Sequence, residues 1–235
     1  MRLDLPPQNL QFTGRTKELH QLSDIIKGAG KGQRQVAVLH GLGGIGKTNI
    51  VCEYAWRNRA AYSCIIWIHA GTVEVLKDSF TSVVKVLIQH LATKSSCAEP
   101  NYAEIARGLG IPGLISTLGQ LVYNTESDDQ DRIVDAVLKW LSLDGNDNWL
   151  LVFDNVDDLK VIDKAKHFPQ SSSGTILITS RRRASAPWGA ESFQVDEMDK
   201  EDALDLLMRR AKLEWNQLSE EGEYHTANYA NFATY

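Results

Sequence analysis

Short runs of consecutive apolar residues alternate along the chain with longer stretches in which apolar residues recur every three or four positions. The first pattern is typical of buried strands and the second of amphipathic helices. Strands are predicted at 36–39, 64–68, 150–153 and 175–179, with a shorter candidate at 193–195. Helices are predicted over 17–28, 47–61, 73–92, 114–123, 130–143 and 199–212, and a loop or irregular insert over 94–113. This alternation predicts a three-layer α/β fold, in which helices cover both faces of a mainly parallel sheet.

The predicted elements form one domain over 12–215. Residues 1–11 are expected to be an N-terminal tail or linker, because the adjacent Pro6 and Pro7 exclude a helix there. Residues 216–235 are polar and weakly patterned, so a C-terminal tail is expected. The sequence contains no internal repeat and no low-complexity tract.

Composition narrows the class of protein without naming a function. With 43% hydrophobic and 23% charged residues in 235, the chain has an ordinary soluble globular composition. Its net charge of −5 argues against nucleic acid as the main partner, since nucleic-acid binding usually leaves a basic surface. No apolar run approaches the roughly 18 residues that span a membrane, and the 3 cysteines lack metal-site spacing. A reducing, cytoplasmic location without membrane contact is expected.

A glycine-rich segment lies between the first predicted strand and the next helix. Its sequence, Gly41-Leu-Gly-Gly-Ile-Gly-Lys-Thr48, matches the phosphate-binding pattern G-x-x-x-x-G-K-[ST]. Glycines let the backbone aim successive N–H groups at phosphate oxygens, and the following helix adds its positive dipole end. Lys47 supplies a cation to the β- and γ-phosphates, and Thr48 offers a hydroxyl to Mg²⁺. The predicted phosphate-binding residues are Gly41, Leu42, Gly43, Gly44, Ile45, Gly46, Lys47, Thr48 and Asn49.

An acidic cluster closes the stretch WLLVFDNVDD, residues 149–158. Asp154 is the first polar residue after the apolar run, so it is expected at the carboxyl end of the sheet as a ligand of Mg²⁺. Asn155 stands where many such ATPases carry a second acid, and an amide orients water but cannot accept its proton. Asp157 and Asp158 are expected to be turn and helix-cap residues, although either could also reach the site. The stretch therefore favours nucleotide binding over fast hydrolysis.

The order of these motifs resembles the NB-ARC branch of the STAND phosphate-loop NTPases, which are the switch domains of NOD-like receptors. The resemblance covers about 12–213, and the end of WLLVFDNVDD is most similar to fungal members that carry tetratricopeptide repeats. In this family the segment before the first helix lies along the adenine. The corresponding adenine-side residues are Phe12, Thr13, Gly14 and Arg15.

The resemblance also implies a sensor arginine. Arg181 follows the fourth predicted strand, where the family places an arginine that contacts the γ-phosphate and distinguishes ATP from ADP. The fork of a guanidinium suits phosphate oxygens. The buried strand that Arg181 follows would hold it near Asp154, which ends a neighbouring strand. The adjacent Arg182 and Arg183 are expected to be solvated surface residues.

By the same resemblance, the domain is expected to be a switch that ADP holds at rest and that ATP with Mg²⁺ drives towards self-association. Hydrolysis is expected to be slow, and the biological setting is expected to be innate immune signalling. The family's Gly-x-Pro motif and winged-helix histidine are not found before Tyr235, so the chain is expected to be the nucleotide-binding core alone.

Two other functions fit the same motifs. One is a turnover ATPase of the related AAA+ type, which would need an effective base that Asn155 does not provide. The other is a nucleotide-dependent interaction module without relevant hydrolysis. The preference for adenine over guanine rests on the resemblance alone.

Overall fold

The computed structural model describes residues 1–28, 33–94, 100–116, 119–122, 127–183 and 190–211. The strands are β1 (Arg2–Leu3), β2 (Gln35–His40), β3 (Cys64–His69), β4 (Trp149–Asp154), β5 (Thr175–Ser180) and β6 (Glu191–Gln194). The helices are α1 (Thr16–Gly28), α2 (Lys47–Arg57), α3 (Val73–Lys94), α4 (Tyr102–Leu109), α5 (Ser127–Leu141), α6 (Lys164–His167) and α7 (Lys200–Ala211), with a 3₁₀ turn at Leu159–Val161. The six strands form one parallel sheet in the order β1-β3-β4-β5-β2-β6. The predicted α/β fold with a mainly parallel sheet is confirmed.

The two faces of the sheet enter separate apolar cores. In β4, Leu151 and Phe153 pack into a core with α3, α4 and α5. Leu150 and Val152 point to the opposite face and pack with α1 and α2. Since helices cover both faces, every residue of β4 is buried, which explains its continuous apolar run.

The strand order brings three chain segments to one edge of the sheet. β5 lies between β2 and β4, so the segments that follow these three strands are neighbours. In the pairing register, Leu39 lies opposite Thr179, and Phe153 lies opposite Ile178. The glycine-rich loop after β2, Asp154 at the end of β4 and Arg181 after β5 therefore meet at the carboxyl edge, where ligands bind in open α/β sheets.

The N-terminal segment, expected as a tail or linker over 1–11, contributes the edge strand β1. Leu3 is fully buried, and β1 pairs in parallel with β3. Further along, the Trp56 Nε1 of α2 donates a hydrogen bond of 2.9 Å to the Pro6 carbonyl. A strand of only two residues has no periodic pattern, which is why the sequence does not reveal it.

The segment 94–113, expected as a loop or irregular insert, contains helix α4. The Asn101 side chain caps its first turn by accepting a hydrogen bond from the Glu104 N–H. Gly110 ends the helix in the left-handed conformation, with φ of 79°. Asparagine and glycine at these two positions are a helix start and stop signal, and the density of glycine and proline around them obscured it.

The predicted helix at 114–123 is wrong for the residues that the structure describes there. Ile115 and Leu121 form an isolated antiparallel bridge instead. Gly119 has φ of +75°, and a Cβ at this position would clash with the ring of Tyr102. The apolar spacing of this segment suits a helix, but the left-handed turn at Gly119 interrupts it.

Candidate functional site

The glycine-rich loop joins β2 to α2 and depends on its glycines. Gly41, Gly44 and Gly46 all have positive φ, between 77° and 152°. A Cβ at Gly41 would lie 2.5 Å from the Val195 carbonyl oxygen, so no side chain fits there. Gly46 precedes α2 without a side-chain cap, which leaves the first N–H groups of the helix for an anion. The backbone thus has the donors and the dipole of a phosphate site.

Lys47 is the first residue of α2 and is 8% exposed. Its Nζ donates hydrogen bonds to the carbonyl oxygens of Gly41 (2.9 Å) and Leu42 (2.7 Å), which holds the ammonium against the loop. Burial lowers the pKa of Lys47 below its usual range, and the charge of Asp157 opposes this shift. A cation that is so little exposed, and that forms no ion pair with a carboxylate of the described residues, is suited to an incoming phosphate.

Thr48 and Asp154 meet behind the loop. The Thr48 hydroxyl donates a hydrogen bond of 2.8 Å to Asp154 Oδ1, and Asp154 is 6% exposed. The Thr179 hydroxyl of β5 donates to the same oxygen at 2.6 Å and accepts from the Asn155 N–H at 2.8 Å. A carboxylate with two hydroxyl partners is held in one orientation at the strand end.

These oxygens fit a magnesium ion that is bound mainly through nucleotide phosphates. Thr48 and Asp154 offer hard oxygen ligands, which Mg²⁺ prefers. Among the described residues, no group of 3 or more histidine, cysteine or acidic side chains could hold a metal by itself. Mg²⁺ usually takes one or two protein ligands together with substrate phosphates and water. When bound, the ion would neutralise phosphate charge.

Arg181 lies beside the loop, at the end of β5. An added Cβ at Gly43 would lie 3.5 Å from Arg181 Nε, so the guanidinium borders the middle of the loop. Asp157 holds it through two contacts, which join Oδ1 to the Arg181 N–H and Oδ2 to Nε, each at 3.0 Å. Arg182 and Arg183 are exposed, as expected. Arg181 therefore differs from its neighbours in facing the candidate site.

Asn155 occupies a strained backbone position. Its φ of 66° is left-handed, a conformation that asparagine and aspartate adopt more readily than other residues with a Cβ. Its side-chain nitrogen lies 3.3 Å from where a Cβ of Gly71 would stand, on the β3 side. The left-handed backbone therefore favours asparagine or aspartate at this position, independently of any role of the side chain in hydrolysis.

Arg15 connects the segment predicted to lie on the adenine side, residues 12–15, to the glycine-rich loop. The guanidinium is buried and donates to the carbonyl oxygens of Ile45 (2.8 Å) and Asp196 (2.7 Å) and to Glu18 Oε1 (2.5 Å). Before it, the Thr13 hydroxyl donates to a carboxylate oxygen of Asp205 in α7. Phe12 packs against the core on the α1 and α2 face. Arg15 thus links the segment to the phosphate loop.

Comparison with known families agrees with this geometry. Residues 11–168, more than half of the chain, match the model of the AAA ATPase domain. The chain belongs to this family. The AAA ATPase domain is a nucleotide-binding phosphate-loop fold, and the matched range contains the glycine-rich loop, Asp154 and residues 12–15.

Individual relatives of this AAA ATPase domain are longer proteins. A nucleotide-binding leucine-rich repeat (NLR)-like protein from Hyaloscypha variabilis is 27% identical over 219 residues, which cover 85% of this chain and 19% of the relative. A signal transduction ATPase with numerous domains (STAND) from Pyrococcus horikoshii, which has a tetratricopeptide repeat sensor, has a TM-score of 0.50 and 18% identity, covering 97% of this chain and 30% of that one. Cdc6p from Pyrobaculum aerophilum has a TM-score of 0.49 and 15% identity, covering 87% and 52%. The chain thus spans less than a third of the first two relatives.

Two residues of the AAA ATPase domain site were not assigned by the sequence. Thr179 orients Asp154, and its only signal is a polar residue near the end of an apolar strand beside the acidic one. Asp157, expected as a turn residue, lies in a turn that its N–H closes on the Asn155 carbonyl, and it also contacts Arg181. Asp158 caps the 3₁₀ turn by accepting from the Lys160 N–H. Pairing across two loops depends on tertiary structure, and no local pattern indicates it.

The helices of the AAA ATPase domain were also compared with the length and hydropathy that a bilayer requires. Within the described ranges, no helix is both long and apolar enough to cross a membrane.

Proposed function

We propose that this domain is an adenine-nucleotide switch of the STAND type, NB-ARC-like, in which ADP and ATP with Mg²⁺ favour different states and hydrolysis is slow. The observation that carries the proposal is the place of Arg181. This second cation borders the phosphate loop from a different strand than Lys47 does. The similarity to an NLR-like protein supports a cytoplasmic role in innate immune signalling.

A switch needs a group whose contacts differ between its two ligands. A nucleotide can shift an equilibrium only by its differential affinity for the two states. Lys47 and the loop N–H groups lie where α2 begins and serve any bound phosphate chain. Arg181 lies further out, on Gly43, and is the natural contact for the additional phosphate of ATP. The longer protein would convert this difference into self-association.

Replacing Arg181 with alanine tests the proposal. We expect Arg181→Ala to weaken binding of a non-hydrolysable ATP analogue by about 10- to 100-fold, the range of a hydrogen bond to a charged group. Binding of ADP should change by no more than about threefold, as for loss of one exposed charge. Isothermal titration with Mg²⁺ measures both affinities.

Arg182→Ala is the matched control, because it removes the neighbouring exposed charge, and no hydrogen bond or ion pair among the described residues joins that side chain to the loop. It should leave the ratio of ATP to ADP affinity unchanged. An equal loss of both nucleotides in Arg181→Ala would show that Arg181 is not a sensor and would remove the basis of the switch.

A turnover ATPase is the second candidate, and membership of the AAA ATPase domain family favours it. Asn155 decides between the two, because it stands beside the metal-side acid without the capacity of a base. A steady-state rate above about one per second would favour turnover.

We predict that Asn155→Asp raises or maintains the hydrolysis rate while nucleotide affinity changes by no more than about threefold. Aspartate tolerates the left-handed backbone at this position, so the fold should survive. Phosphate release under saturating ATP measures the rate, and titration measures the affinity. Abolished binding would instead make Asn155 a ligand of the nucleotide or metal.

A further inference from the structure

Asp157 makes a paired contact with the sensor arginine. One carboxylate oxygen accepts the backbone N–H of Arg181, and the other lies against Nε of the same residue, each at 3.0 Å. The side chain of Arg181 is 63% exposed and that of Asp157 is 32% exposed. An arginine side chain with this much exposure has considerable rotamer freedom unless a partner restrains it.

The backbone of the segment after β4 places Asp157 over the end of β5. Val156 is fully buried, and its N–H donates 2.8 Å to the Thr179 carbonyl. The left-handed turn at Asn155 starts this bend, and the Asp157 N–H closes it on the Asn155 carbonyl at 3.0 Å. The carboxylate is therefore fixed by anchored backbone and not by a free loop.

We propose that Asp157 is a positioning residue that orders Arg181 for the terminal phosphate of ATP and so sets the discrimination between ATP and ADP. This inference rests on the proposed function, because it concerns how the sensor of that switch works. Asp157 engages the backbone N–H and the Nε edge of Arg181, while the Nη atoms donate no hydrogen bond to another described residue. The free edge of the guanidinium is the one that can bind phosphate oxygens in a fork.

A simple electrostatic role for Asp157 predicts the opposite effect. The carboxylate is close enough to Lys47 to oppose the lowering of that lysine's pKa by burial, so its negative charge also repels phosphate. If repulsion were its only action, removing the charge would strengthen ATP binding, and more so than ADP binding, since ATP carries more negative charge. If it orders Arg181, removing the charge weakens ATP binding. The sign of the change separates the two roles.

The test compares Asp157→Asn with Asp158→Asn in the whole chain, using a non-hydrolysable ATP analogue and ADP with Mg²⁺. Asp157→Asn is expected to weaken the analogue by about 3- to 10-fold, the cost of ordering one long side chain, with ADP affinity unchanged. Asp158→Asn removes the same charge one residue away, where the carboxylate accepts a hydrogen bond from the Lys160 N–H of its own turn, and should change neither affinity. Retained ADP binding shows that each variant is folded.

The same substitution in the Arg181→Ala background completes the experiment. Asp157→Asn should then have no further effect on the ratio of the two affinities, because its partner is gone. The inference would be overturned if Asp157→Asn still changed the ratio in this background. It would also be overturned if Asp157→Asn alone strengthened binding of the ATP analogue, or weakened binding of ADP by the same factor. Abolished hydrolysis with unchanged affinities would also overturn it, by placing the carboxylate on the attacking water. If Arg181→Ala alone leaves the ratio unchanged, the proposed function fails. If Arg181→Ala changes the ratio but Asp157→Asn leaves it unchanged, this inference fails and the proposed function stands.

Discussion

Lys47→Ala should weaken the binding of both ADP and ATP by about 100-fold, more than any other single substitution in the loop. The ammonium is the cation that α2 presents at its first turn, and its two present partners are neutral carbonyl groups of Gly41 and Leu42. It is therefore free to exchange these partners for phosphate oxygens. Among the described residues, no other lysine donates a hydrogen bond to the Gly41 or Leu42 carbonyl, so no other lysine replaces it.

Lys47→Ala should not destabilise the nucleotide-free domain, although it weakens nucleotide binding. Burial lowers the pKa of Lys47, which means that the charged form is disfavoured in the folded state relative to the unfolded chain. Alanine removes this unfavourable term, so the unfolding midpoint of the free domain should hold or rise. A residue that costs stability and supports binding is the pattern expected at a functional site.

Thermal unfolding with and without nucleotide measures both effects, since a ligand that binds only the folded state raises the midpoint. Lys17→Ala is the control, because this exposed lysine pairs with Asp199 on the surface and no hydrogen bond or ion pair within the described part of the chain joins it to the loop. Nucleotide should stabilise the control variant and not Lys47→Ala. Undiminished stabilisation of Lys47→Ala would mean that the glycine-rich loop is not the phosphate site.

The sequence predicted the sheet well because buried parallel strands leave a local signal. Each of the four principal strands has a continuous apolar run at its centre, and the structure extends each predicted range by only one or two residues. The polar residues that follow these strands also have a local signal, since Asp154 directly ends an apolar run. The positions of Lys47, Thr48, Asp154 and Arg181 at one edge follow from strand order and parallel direction.

The remaining parts of the site depend on contacts between distant segments. Thr179 reaches Asp154 only because β5 pairs with β4, and Asp157 reaches Arg181 only because the chain bends sharply at Asn155. Arg15 is a similar case, because a surface-type residue becomes buried when carbonyl groups from two other segments surround it. Periodicity reports which face of an element is apolar and does not report such pairings.

Arg15→Ala should lower the free energy of unfolding by about 3 kcal/mol, as expected when one partner of a buried ionic hydrogen-bond network is removed. The guanidinium joins α1, the glycine-rich loop and the segment after β6 through Glu18, Ile45 and Asp196. Alanine leaves all three acceptors without this donor. Arg15→Lys keeps the charge but not the planar fork, so its free energy of unfolding should lie between those of Arg15→Ala and the native domain.

Chemical denaturation of the nucleotide-free domain measures this loss, and nucleotide titration then shows its consequence for the site. Arg15 donates to the Ile45 carbonyl and so supports the loop as a whole. Its loss should therefore weaken the binding of ADP and of ATP by the same factor. That outcome would separate support of the loop by Arg15 from the sensing proposed for Arg181, which would alter the ratio of the two affinities. A change confined to ATP would assign Arg15 to the nucleotide itself, and unchanged stability would show that the three segments are held together without it.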